Sequence, residues 1–231
     1  MAHEPGTPIG RRLFLGLLGL GAVGIATGSS ISNALQRLAK NDPTGLSAIL
    51  PGGGGWRYYQ VNGYPKRSRS EYRLRVAGLV DTPLTLTYED LTSLPPIKVT
   101  RDFQCVTGWR VLGVKWQGVL LRDVLDRAGV QPEGGAIRFT SFDGAYTESL
   151  TMKQARRDDV LVAYQLDGKN ISTDHGGPVR LVVLPMYGYK NTKWLETIEV
   201  TRAVVPGYWE ERGYEVDAWV GASNGRNDEP T

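Results

Sequence analysis

Ile97-Lys98-Val99-Thr100-Arg101-Asp102-Phe103-Gln104-Cys105-Val106-Thr107-Gly108-Trp109-Arg110 is the stretch from which the fold can be read. Ile97, Val99, Arg101 and Phe103 share one side of a two-residue period, the mark of a half-buried strand. That strand delivers Cys105 to a glycine-bearing turn. Cys105 is the only cysteine among 231 residues, so it forms no internal disulfide. Its thiol is left for packing, nucleophilic chemistry or metal ligation.

The same short-period pattern extends in both directions. Upstream, Tyr72, Leu74 and Val76 alternate with Arg73 and Arg75, and Asp81-Thr82-Pro83 turns the chain. Thr87 can cap a short helix to about Leu94, where Pro95 and Pro96 stop it. Downstream, Leu121, Val124, Leu125 and Ala128 have helical spacing, closed by Gly129. Strand-type runs cover 136–142 and 146–150 around the hairpin dipeptide Asp143-Gly144, then 160–165, 179–184 and 194–201. Thr151 and Gln154 make a capping box between them. Short helices set among many strands predict an α+β domain rather than a wound parallel sheet. Apolar residues make up 41% of the chain, enough for a core, and a net charge of +3 implies no bulk affinity for nucleic acid.

The N-terminal region gives an address. Arg11 and Arg12 stand directly before Leu13-Phe14-Leu15 and a glycine-diluted apolar stretch to Ile25, the pattern of a twin-arginine signal. The expected organisation is a signal or anchor at 1–34, a linker and arm at 35–70 containing the glycine run 52–55, a domain at 71–207, and a tail at 208–231. Export implies a periplasmic or extracytoplasmic site, with the signal either cleaved or kept as an anchor in the cytoplasmic membrane. A lone thiol in an oxidising compartment is then expected to be occupied or buried.

A second cluster is Asp174-His175-Gly176-Gly177-Pro178-Val179-Arg180, followed by Tyr187-Gly188-Tyr189-Lys190-Asn191-Thr192-Lys193-Trp194. His175 lies on a glycine-rich turn where backbone approaches a ligand closely. Arg180 offers a fork of donors, and Lys190 and Lys193 offer point charges, a set suited to a phosphate. Three readings stand at this level: a metal ligated by Cys105, a thiol hydrolase with Cys105 as nucleophile and His175 as base, or a non-catalytic anion-binding module.

Taken in order, Cys105 in Gln-Cys-Val-Thr-Gly-Trp-Arg, Thr140 in Arg-Phe-Thr-Ser, the 175–180 run and the 187–194 run resemble the molybdopterin-binding domain of the sulfite oxidase family. The resemblance covers about 72–207 and is strongest to small haem-free exported members, among them the catalytic subunits of periplasmic protein-methionine-sulfoxide reductases. It implies a mixed-sheet molybdopterin-binding fold in a single domain and a cofactor, Mo-molybdopterin, with one pyranopterin. Cys105 would ligate molybdenum; Thr140, His175 and Arg180 would hold the pterin; Asn191, Thr192 and Lys193 would wrap its phosphate end. Asn62 would be an upstream contact. Arg110 would be the cation nearest an oxo substrate, or else the partner of an acid such as Asp102.

Two departures bear on substrate. Thr107 stands where the methionine-sulfoxide reductases carry a glutamate, and about 25 residues after Val205 leave no room for the dimerisation domain of the sulfite-oxidising members. With no C-x-x-C-H haem site, electrons would pass to or from a membrane haem or quinone-linked partner. The expected protein is a monomeric catalytic subunit acting on a small or protein-borne sulfoxide-type substrate.

Overall fold

The structure is a computed structural model that describes residues 55–231. The expected signal and most of the expected linker lie outside the described residues. Ten strands and three short helices follow one another in the order β1 (Arg73–Gly78), β2 (Leu84–Thr87), α1 (Tyr88–Ser93), β3 (Ile97–Gln104), β4 (Arg110–Leu120), α2 (Leu121–Ala128), β5 (Ala136–Ser141), β6 (Thr147–Thr151), α3 (Met152–Ala155), β7 (Val160–Leu166), β8 (Lys169–Asn170), β9 (Arg180–Val183) and β10 (Leu195–Thr201). Among the described residues no helix is long and apolar enough to cross a membrane.

The strands form two sheets. One has the order β2-β1-β10-β5-β6, with β1 and β10 parallel and the other neighbours antiparallel. The second runs β3-β4-β7-β8, with β9 also on β7. This is the expected α+β, mixed-sheet, single-domain architecture. The main core lies between the inner faces: Leu74, Val76, Ile137, Phe139 and Ile198 meet Val160, Val162, Leu181 and the buried stripe of α2. On the other side of β7 and β9, Leu161, Ala163 and Val182 join Trp116 in a smaller cluster. These two strands are apolar on both faces because both faces are covered.

Local signals act as their chemistry requires. Thr87 accepts from the Asp90 N–H while Asp90 reaches back to the Thr87 N–H, a complete capping box. Thr151 and Gln154 repeat it on α3. Gly129 ends α2 in the left-handed region. Strand β4 carries no clean alternation in the sequence, because Gly113 and Gly118 interrupt it and its pairings slip register against both β3 and β7.

The tail packs onto the domain. Tyr208 N–H bonds to the Thr147 carbonyl, Met186 bridges to Trp219, and the Thr231 hydroxyl donates to the Leu184 carbonyl. Trp209 and Trp219 are half-buried against the core. The arm at 55–66, the β3–β4 turn, the β5–β6 turn, the segments before β9 and β10, and the start of the tail converge around one cavity.

Candidate active site

The cavity has a volume of about 230 Å³. Cys105, His175, Arg180, Asn191 and Lys193 line it, so two sequence clusters separated by some seventy positions do meet. Cys105 is presented by a tight turn: its N–H bonds to the Trp109 carbonyl at 2.9 Å, and Gly108 N–H bonds back to the Cys105 carbonyl at 3.0 Å. Gly108 occupies a φ of +98°, which glycine adopts without strain. The thiol sulfur lies 3.2 Å from the Thr107 hydroxyl. Burial raises the Cys105 pKa, while Thr107 and the charges of Arg226 and Arg57 oppose the rise.

Arg180 is 3% exposed, and among the described residues no carboxylate pairs with it. Nη1 donates to the His175 carbonyl at 2.6 Å, Nη2 to the Asn191 carbonyl at 3.1 Å and Nε to the Leu181 carbonyl at 3.4 Å. Its guanidinium therefore ties the two cavity segments together and retains donors for something else. Burial lowers its pKa to about 10. An unbalanced buried cation is costly, and an anion in the cavity would offset that cost.

Lys193 adds a second cation. Nζ donates to the Tyr59 carbonyl at 2.5 Å and sits 4.2 Å from the centre of the Trp194 ring. Burial, then the Arg180 charge, lowers its pKa to about 7. Gly176 lets His175 and Lys193 share the wall: a Cβ there would lie 2.5 Å from the Lys193 Cβ. His175 packs edge-on to Trp56 and Tyr58, and its Nε2 is 3.2 Å from the Tyr58 hydroxyl. Burial and Arg180 hold its pKa down to about 4, so the ring is neutral at ordinary pH.

Among the described residues several buried polar atoms have no protein hydrogen-bond partner. His175 Nδ1, Asp143 Oδ2 and Thr192 Oγ1 are such atoms; His175 and Asp143 line the cavity, and Thr192 lies between its wall residues Asn191 and Lys193. Groups of this kind call for a ligand carrying both donors and acceptors.

Other candidates fall elsewhere. Thr140 is not in the cavity wall; it alternates with core-facing Phe139 and so lies on the outer face of its sheet between Thr197 and Thr147. Asn62 also stays outside and donates to the Asp143 carbonyl at 2.7 Å, fastening the arm to the β5–β6 turn. Arg110 does not line the cavity: Nε bonds Gln104 Oε1 at 2.6 Å, Nη1 pairs with Asp102 at 3.5 Å, and Nη2 donates to the Glu229 carbonyl. It joins the β3–β4 pair to the tail. Asn191 lines the wall but spends its Oδ1 on Val183 N–H.

An arm was expected within 35–70, but Asn62 was the one residue of it expected at the site. Residues 56–61 form one side of the cavity, with Trp56 packed on Phe103, Trp109 and Trp116 and Tyr59 stacked on Trp109. The closeness of Trp56, Tyr58 and Tyr59 after the glycine run was the available signal. The pairing needed for a thiol hydrolase is not made: the Cys105 sulfur meets Thr107 and the His175 Nε2 meets Tyr58.

Comparison with known proteins gives a consistent result. Residues 61–209 match the family described as oxidoreductase molybdopterin binding domain. The chain is 36% identical over 152 residues to an uncharacterized oxidoreductase, YuiH, of Bacillus subtilis (strain 168), covering 65% of this chain and 76% of that protein. It is 29% identical over 155 residues to the protein-methionine-sulfoxide reductase catalytic subunit MsrP of Campylobacter jejuni, covering 60% of this chain and 52% of the other. In structure it is similar to the sulfane dehydrogenase SoxCD of Paracoccus pantotrophus, with a TM-score of 0.59 and 28% identity over 64% of this chain and 42% of that one.

Proposed function

Because the chain belongs to the oxidoreductase molybdopterin-binding family, with sulfite oxidases among its relatives, it is an enzyme whose cofactor is Mo-molybdopterin, and we propose that it performs two-electron oxo transfer on a small or protein-borne S-oxide, N-oxide or sulfite-like substrate. In this reading it acts after export by the twin-arginine route and exchanges electrons with a haem or quinone-linked membrane partner. The sulfoxide class is favoured by the name of the Campylobacter relative.

The cavity fits the pterin. The observation that carries the reading is Arg180, a buried guanidinium without a counter-ion among the described residues, in the wall of the cavity that Cys105 also lines. A phosphate would balance it and take the donors left over from three carbonyl bonds. Lys193 would add a second cation, and Thr192 Oγ1, His175 Nδ1 and Asp143 Oδ2 would gain the partners they lack.

When bound, the cofactor supplies the redox-active metal and gives or takes the transferred oxygen atom. The chain's residues hold and orient it. Cys105 would be the protein's metal ligand; a thiol whose pKa is raised by burial stays protonated alone and loses its proton on meeting a cation. Neutral His175 would hold the ring system by hydrogen bonding without adding charge. Tyr59 and Trp109, stacked on one another, line the same cavity as the sulfur.

The test is elemental and pterin analysis of the full chain produced with its export system. About one molybdenum per chain is expected, and Cys105→Ser should remove the metal and dye-linked redox activity while leaving the melting temperature nearly unchanged. Activity retained in Cys105→Ser would refute ligation. Sulfoxides, N-oxides and sulfite assayed with an artificial donor or acceptor would then identify the substrate.

A further inference from the structure

Three segments of the cavity wall each turn one ionisable side chain inward behind it. Glu148 on β6 follows Tyr146, Lys190 lies between Tyr189 and Asn191, and Glu210 follows Trp209. On β6, Glu148 is opposite Phe139 and so shares the core face of the sheet. Lys190 and Glu148 side chains are 0% exposed and that of Glu210 is 1% exposed. Lys190 Nζ donates to Glu148 Oε1 at 2.7 Å and to Glu210 Oε1. Glu148 Oε1 also accepts from Ser149 N–H at 2.8 Å, and Glu210 Oε2 accepts from Gly207 N–H at 2.7 Å. Among the described residues Glu148 Oε2 has no hydrogen-bond partner.

One cation therefore faces two carboxyl groups in a region closed to water. We propose that Glu148, Lys190 and Glu210 form a buried lock that positions the cofactor-facing loop at 187–193, the β6 edge and Trp209 of the tail against one another, so that loosening it releases the cofactor. The proposal rests on the reading of this cavity as the pterin site and adds residues outside the cavity that hold its wall in place. Lys190 acts as a positioning residue, since it sits between two wall residues and reaches the other two segments.

The charge count makes the lock sensitive to pH. Two ionised carboxyls against one ammonium leave an excess negative charge that burial does not tolerate. Burial raises the Glu148 pKa, Lys190 opposes the rise and Glu210 adds to it. The other titratable or charged groups facing the cluster are the phenols of Tyr146 and Tyr189, with Arg180 and Glu215 beyond them. Both phenols are pushed up by burial and donate to the Tyr189 and Glu215 carbonyls, so they stay neutral across the range in question. A carboxyl raised in the folded state contributes stability below its unfolded pKa and loses it as pH climbs through the folded value.

Glu148→Gln is the informative variant. The amide oxygen can keep both bonds that Oε1 accepts, the amide nitrogen replaces the partnerless Oε2, and the excess charge is gone. In holoprotein, pterin release followed by its fluorescence should speed up from pH ~6 to pH ~9 in both proteins, and that pH ratio should be roughly tenfold larger in the wild type than in Glu148→Gln. Lys193 is present in both proteins and contributes the same pH dependence to each, so the difference between them belongs to Glu148. Equal ratios would overturn the lock.

The pterin-free chain separates this proposal from the cofactor reading. Relative to wild type, the Glu148→Gln melting temperature should be equal near pH ~5 and higher near pH ~9. That pattern in a chain that never binds pterin would sink the cofactor reading and leave the lock standing; its absence in a pterin-bearing chain would sink the lock alone. Failure of Glu148→Gln to fold would also count against it, because no accepted hydrogen bond is removed.

Discussion

Replacing Arg180 by Lys keeps a positive charge in the same place and removes the fork. In the structure the guanidinium reaches three carbonyls, of His175, Asn191 and Leu181, at 2.6, 3.1 and 3.4 Å, from a position 3% exposed. An ammonium at the end of a flexible stem can satisfy one of the two loops and leaves the other carbonyl unpaired. Hydrogen bonds from charged donors are worth about 1.5–3 kcal/mol each, so the pterin-free chain should lose about 2–4 kcal/mol, seen as a lower urea midpoint with an unchanged m-value. The cofactor should suffer separately. Losing one charge-assisted bond to its phosphate predicts roughly 10- to 100-fold weaker retention, read as pterin per chain after dialysis. If Arg180→Lys retained pterin and midpoint alike, charge alone would suffice and the role given to the fork would be wrong.

Two other outcomes follow from the same site. The Lys193 pKa, held down to about 7 by burial and Arg180, should rise again beside a dianionic phosphate; affinity is then full below pH ~7 and weakens by up to roughly tenfold per unit above it, a dependence that Lys193→Arg should flatten in a pterin-binding titration. Gly176→Ala places a methyl 2.5 Å from the Lys193 Cβ at a φ of +92°, so the melting temperature should fall by several degrees and pterin content with it; an unchanged melting temperature would contradict the close approach.

Much of the fold was legible because its boundaries are written in local chemistry. Thr87 with Asp90, Thr151 with Gln154, Gly129 and the Asp143-Gly144 turn all sit where the sequence placed a start or a stop. Strand β4 was not legible, since its glycines and register shifts erase the two-residue period, and its stability comes from neighbours on both sides. The site was legible where a residue carries unusual chemistry in a motif: Cys105, His175, Arg180 and Lys193 do converge. Thr140 and Asn62 rested on resemblance, and the backbone places neither in the wall. For Arg110 the sequence left two roles open, a cation near the substrate or the partner of an acid such as Asp102, and the tertiary arrangement surrounds it with Gln104, Asp102 and the Glu229 carbonyl. The lock behind the wall was not legible, because nothing local in the sequence marks Glu148 or Glu210, and only the folded chain brings β6, Lys190 and the tail together.

The parallel pairing of β1 with β10 has a consequence for biosynthesis. Arg75 lies beside Thr197 and Val76 beside Ile198, so the first strand waits unpaired on that side until nearly the whole domain has been synthesised. Such distant contacts pay their loop-closure cost before they return anything, and they fold slowly. The ribosome must release almost the entire domain before this sheet can close, which sets the earliest moment at which a finished cavity can exist.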